Sequence, residues 1–166
     1  SDAETLLAIL QQSRREFNLT ERTISVPGGV LVDWRSSTDI RWSYSNLHGD
    51  VVAEANNVGA KVGATRSYTA YGVPATAPID NQAGTTDFAW HGQAQRPYEQ
   101  SSRVPYIEMG ARVYIPLYGR FTETDPVEGG NSNAYSYVVD PVNASDLDGQ
   151  CGFWGNPLTP CRNKKK

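Results

Sequence analysis

From residue 19 onward, the apolar positions of this chain fall in short stretches of alternating or clustered Val, Ile, Tyr and Trp, punctuated by Gly, Pro and Asn. That texture predicts strands and turns. "TISVPGGVLVDWR" (23–35) reads as strand, Pro-Gly-Gly turn, strand. In "IRWSYSN" (40–46), Ile40, Trp42 and Tyr44 alternate with polar residues and are expected to share one face. The stretch 50–72 predicts a strand, a turn at Asn56–Gly59 and a second strand. "TDFAWHGQAQRPYE" (86–99) and "IEMGARVYIPLYGRF" (107–121) supply further short strands, and residues 73–86 read as a loop. Residues 2–17 break the pattern. Leu6, Leu7, Leu10 and Phe17 form an apolar stripe, and Ser1 and Glu4 have capping-box spacing, so one N-terminal helix is expected there. The fold class predicted is mainly β, antiparallel, with that single helix.

Composition agrees and narrows the function. Fifteen Gly and ten Pro imply many turns, while nine Tyr and four Trp suit strands. No apolar run reaches the roughly 20 residues needed to span a membrane as a helix. No signal peptide is visible, and the first residue is Ser1 rather than Met, so a piece or processed product of a larger exported protein is expected. The net charge is −3, but the four basic residues after Gln150 leave 11 basic against 18 acidic residues in 1–150, a balance of −7. An acidic body argues against nucleic-acid binding. Cys151 and Cys161 are the only cysteines, and with His48 and His91 they do not form a zinc spacing. A disulfide and free thiols both remain open. No metal or cofactor is expected, and the two histidines, each beside a glycine, read as isolated structural residues.

The stretch 110–150 concentrates the chemistry. It holds "GRF", two "DP" steps and "DLDGQ". Asp before Pro or Gly is an ordinary turn former. A pair of carboxylates can also be an acid site, one activating water and the other donating a proton. Both readings stand on the residues alone. There is also an internal echo: "SYTAYG" (67–72) and "YIPLYGRF" (114–121) each run from a tyrosine to a glycine, as an aromatic-plus-turn hairpin unit would.

"YIPLYGRFTETDP" resembles the tyrosine-aspartate (YD) repeat and core motif of the Rhs family, through Tyr114, Pro116, Gly119, Arg120, Phe121, Asp125 and Pro126. The resemblance extends over about residues 20–150, in the flavour seen in actinobacterial sequences. It implies the Rhs repeat-associated core of a β-sheet shell related to Tc-toxin B/C proteins and teneurins. Three regions follow: a helix at 1–19, the core at 20–150 and a short basic tail at 151–166. In that family the shell encloses a C-terminal toxin, and the core often acts as a single-turnover aspartyl autoprotease cutting after D-P-x-G-L.

On these residues the resemblance implies a catalytic set of Asp125, Asp146 and Asp148, with Arg120 biasing their ionisation, and a scissile bond between Gln150 and Cys151. Leu147 stands for Pro and Gln150 for Leu, and Ser136 occupies a position that is acidic in some members. Cleavage is therefore expected to be weak or absent in these 166 residues by themselves, where the water-excluding shell is also missing. Expected partners are the rest of the shell and its toxin, with self-association through sheet edges; the location is secreted or cell-surface. The alternative is a passive β-module binding carbohydrate or a protein through Trp34, Trp42 and Tyr44. A free-standing toxin enzyme fits least, since 16 residues after Gln150 are too few to fold as one.

Overall fold

A computed structural model describes residues 21–75, 86–99, 104–127 and 133–150, together with the backbone of 153–154. The predicted N-terminal helix, most of the 73–86 loop, Cys151 and Cys161 lie outside the described residues. The described part is mainly β, as the pattern predicts: every strand pairing is antiparallel.

The first sheet is a five-stranded meander in chain order: β1 (Arg22–Val26), β2 (Val30–Trp34), β3 (Ile40–Ser45), β4 (Val51–Ala55) and β5 (Lys61–Val62). Its hairpin turns sit where Pro27-Gly28-Gly29, Asn46–Gly49 and Asn56–Gly59 fall in the sequence. The second sheet has four strands, also in chain order: β6 (Tyr98–Glu99), β7 (Tyr106–Met109), β8 (Arg112–Ile115) and β9 (Arg120–Phe121). A short pair, β10 (Ala144–Ser145) with β11 (Phe153–Trp154), follows.

In β3, Ile40, Trp42 and Tyr44 share one face as expected, with half-buried Ile40 and Trp42 opposite buried Trp34 and Val32 and Tyr44 42% exposed, while Ser43 on the other face is fully buried. Period two gives two faces but does not say which one is covered. Four consecutive residues of β2, Leu31 to Trp34, are buried, so cover on that strand comes from both sides. The stretch 86–99, expected as a strand, is mostly irregular, with one 3₁₀ turn at Gly92–Ala94 before β6.

The main core lies on the second sheet. Trp90, Tyr98, Ile107, Met109, Tyr114, Phe121, Tyr137 and Val138 are packed together and buried. Its centre is aromatic: ring centroids are 5.4 Å apart for Trp90 and Tyr114, 4.7 Å for Tyr114 and Tyr137, and 5.7 Å for Phe121 and Tyr137. Such pairs contribute about 0.5–1.5 kcal/mol each beyond the area they bury. The segment 134–138 runs beside β9, where Phe121 N–H donates to Tyr135 O at 2.9 Å and Arg120 bridges Ser136. The two tyrosine-to-glycine units are joined, because Tyr114 O–H donates to Tyr71 O at 2.9 Å.

Candidate acid site

The "DLDGQ" stretch is a five-residue turn built like two others in the chain. In Asn46–Asp50, Asn56–Ala60 and Asp146–Gln150, the fourth residue is a glycine with positive φ, at 93°, 77° and 67°. In each, the first residue's Oδ1 accepts the fifth residue's backbone N–H, at 3.0, 2.9 and 3.1 Å. A short Asn or Asp side chain closes such a turn by imitating backbone, and glycine takes the left-handed conformation without a Cβ penalty. Asp146 is thus a turn former, as the plain reading of the sequence held.

Its surroundings separate it from the other two. The turn docks on the β7–β8 hairpin, with Ala111 N–H donating to Asp148 O at 2.9 Å. The approach is so close that a Cβ at Gly149 would meet Met109 O and Arg112 N. Asp146 is completely buried. Beside it stands Arg112, on β8, with a side chain only 1% exposed and its guanidinium 3.7 Å from the Phe121 ring centre. Arg112 Nη2 lies 2.9 Å from Asp146 Oδ2 and 3.1 Å from Asp125 Oδ2, while Nε donates to Gly149 O and Nη1 to Ala134 O. One buried cation therefore gathers the "DP" block, the "NAY" segment and the "DLDG" turn.

Three carboxyl groups and one cation do not balance if all three ionise. Burial, followed by the side-chain hydrogen bond with Asp148, raises Asp146 to about 6, and the Arg112 charge opposes that rise. A buried carboxyl of this kind stays protonated in mildly acidic conditions and can donate. The Gln150 N–H is held from two sides, by Asp146 Oδ1 at 3.1 Å and Asp148 Oδ1 at 3.0 Å.

Of the residues chosen from sequence, Asp146 and Asp148 meet at the Gln150 N–H, and Asp125 joins Asp146 through their shared partner Arg112. Arg120 does not: its guanidinium lies over the Tyr135 ring, 5.1 Å from the centre, and the side chain is exposed. The cation of the site is Arg112. The signal for it was present, since Arg112 and Tyr114 share the buried parity of β8, whereas Arg120 has the opposite parity to buried Phe121. Trp34 is buried and not available for stacking a ligand.

Sequence reading also missed a second cluster. His48 and His91, far from isolated, have ring centroids 4.5 Å apart, next to Trp90. They line a cleft of about 610 Å³ with Asp50, Tyr68 and residues 141–145. His48 Nδ1 is 2.9 Å from Asp50 Oδ1 and Nε2 is 2.8 Å from Pro141 O. The hydrogen bond to Asp50 raises the His48 pKa above the ordinary histidine value. Burial pushes His91 the other way, down to about 3, so it is neutral. Ligand atoms of His48, Asp50 and His91 lie within 4.8 Å of one another. Both His48 nitrogens are already engaged, and His91 Nε2 is 3.1 Å from Tyr137 Oη, so a metal would have to displace existing hydrogen bonds. The donor set does not fit one as it stands.

No protein-family model and no curated protein matches this chain. Among solved structures, the Tc holotoxin pore of Photorhabdus luminescens, carrying a mutation in TccC3, matches with a TM-score of 0.61 and 24% identity. The match covers 84% of this chain and 7% of that one, so this chain has the fold of a small part of a much longer toxin-complex polypeptide.

Proposed function

We propose that residues 20–150 are the core of an Rhs-type toxin-delivery shell that encloses a C-terminal toxin, and that the aspartate cluster cuts the chain once, after Gln150. The support is the motif resemblance, the shared fold with part of a Tc holotoxin, and above all one observation. The backbone N–H of Gln150 is bound by two aspartates, one of which is buried, paired with Arg112 and raised in pKa by its burial. An ordinary surface turn needs neither the burial nor the cation.

The reaction is amide hydrolysis. Asp125 or Asp148, ionised, takes a proton from water as the water oxygen bonds to the Gln150 carbonyl carbon. Asp146 gives its proton to the departing Cys151 nitrogen as the C–N bond breaks. The products are a Gln150 carboxylate and a Cys151 amine. Arg112 supplies a compensating positive charge between Asp125 and Asp146. The shell itself would exclude competing water and hold the strand, and the expected surroundings are those of an exported, secreted or cell-surface assembly.

The test is a denaturing gel with intact mass on the full-length protein and its Asp125→Asn and Asp146→Asn variants. Loss of an acid or base costs about 10²–10⁴ in rate, so complete cleavage should become none over hours. Cleavage at the same bond in both variants would remove the aspartyl mechanism and leave a passive β-module binding carbohydrate or a protein.

A further inference from the structure

The segment from Pro141 to Asp146 is tied at both ends to one residue, Asp50. At the far end, Asp146 N–H donates to Tyr137 Oη at 3.1 Å, Tyr137 Oη lies 3.1 Å from His91 Nε2, and His91 N–H donates to Asp50 Oδ1 at 3.1 Å. Tyr137 Oη thus joins the Asp146 N–H to the His91 ring. At the near end, His48 stands between Asp50 Oδ1 and Pro141 O. The result is a closed ring of contacts running through the cleft wall and the acid turn.

Neither acceptor at His48 has a proton to offer. Pro141 presents a carbonyl. Asp50 is a carboxylate: Oδ1 also accepts from His91 N–H and Oδ2 accepts from Asn46 Nδ2 at 3.0 Å. Both His48 nitrogens must therefore carry hydrogen, which makes the ring an imidazolium. Its side chain is 25% exposed, so solvent can take that proton. A neutral ring has one donor. It would keep Nδ1–H on the carboxylate, where the bond is charge-assisted, and turn the Nε2 lone pair toward the Pro141 oxygen.

We propose that His48 is a positioning residue for the candidate acid site, its charged ring fastening Pro141 to Asp50 so that the segment leading into Asp146 is held at acidic to neutral pH and released when the ring loses its proton. This deepens the reading of the site as a cleavage centre and, as far as cleavage goes, rests on it. The groups facing His48 are few. Asp50 and Asn46 come from its own turn, with Asp50 holding the charge. From the 89–91 segment come the Trp90 ring, 6.0 Å away, and the neutral His91 ring. From the 140–145 segment comes the Pro141 carbonyl, while the Asp140 carboxylate is engaged by Asn143 Nδ2 at 2.8 Å. The His48 pKa is raised from the ordinary histidine value by the hydrogen bond to Asp50, so the tie holds at acidic pH and is lost as pH rises through the folded value.

The experiment reads the tie without requiring cleavage. In the Asp146→Asn variant, so that the acid's own titration does not contribute, the His48 ring nitrogens and the Ala144 amide would be followed by NMR from pH 5 to 9. The Ala144 N–H donates to Asp140 O at 2.9 Å within the tied segment. After correction for intrinsic exchange, Ala144 protection should fall about tenfold or more with the same midpoint as His48, above 6.5. His48→Gln should remove that step. A His48 midpoint below 6.5, or protection that shows no step at the His48 midpoint, overturns the proposal. The same result in a protein that never cuts itself would leave the tie standing and count only against the cleavage reading.

Discussion

Arg112 and Asp146 are 34 residues apart in sequence, yet Nη2 and Oδ2 meet at 2.9 Å with both side chains sealed from water. The contact decides how the last part of the chain is held, because the same guanidinium also reaches Asp125, Gly149 O and Ala134 O.

Removing Arg112 should therefore cost more than a typical substitution. Arg112→Met leaves buried carboxyl and carbonyl groups without their donor, and a loss of about 3–5 kcal/mol in unfolding free energy is expected. Arg112→Lys should recover only part of it, since an ammonium cannot reach four acceptors in a planar fork. Urea unfolding measures both. A loss under about 1 kcal/mol for the Met variant would mean that the cluster does not tie the segments together.

The three matched turns allow an internal control. Gly59→Ala meets open space and carries only the left-handed backbone penalty, about 1–2 kcal/mol. Gly149→Ala carries the same penalty and in addition drives a methyl into Met109 O and to 2.8 Å from Arg112 N. It should be clearly the more destabilising of the two in thermal melts. Equal melting temperatures would show that the DLDG turn is not docked against the hairpin.

Asp146 should leave a mark on the pH dependence of stability. Its folded pKa, about 6, lies above the ordinary 3.8, so the native state holds this proton more tightly than the unfolded chain. Its contribution is full below about pH 4 and is lost as pH rises through about 6. His91, depressed by burial, works in the opposite direction: its contribution is present above about pH 6.5 and fades as pH falls. The difference between wild type and Asp146→Asn isolates the aspartate. Wild type should lose stability relative to the variant between pH 4.5 and 7, as read by denaturant midpoints. A difference that stays constant with pH would mean that Asp146 titrates normally.

Tyr137 carries both ends of a buried polar chain. Tyr137→Phe strands the Asp146 N–H and the His91 Nε2, and a cost of about 1–3 kcal/mol is expected. Tyr44→Phe, at a position on β3 that is 42% exposed, should be nearly neutral in the same unfolding assay.

What the sequence determined by itself is local. Hairpin turns at Asn46, Asn56 and Asp146 close through hydrogen bonds spanning five residues, and glycine at the fourth position is the only side-chain choice free of strain there. Strand texture and the clustering of aspartates near Gln150 were legible for the same reason. Tertiary structure decided everything that depends on what covers a face. It buried Ser43 rather than Tyr44, chose Arg112 over Arg120 as the cation, and turned His48 and His91 from separate residues into one cluster around Asp50. A period of two names two faces without ranking them, and a charge finds its partner through packing between segments 34 or 41 residues apart. Asp146 shows both levels in one residue: its turn is written in DLDG, but its proton is kept by burial that only the folded chain provides.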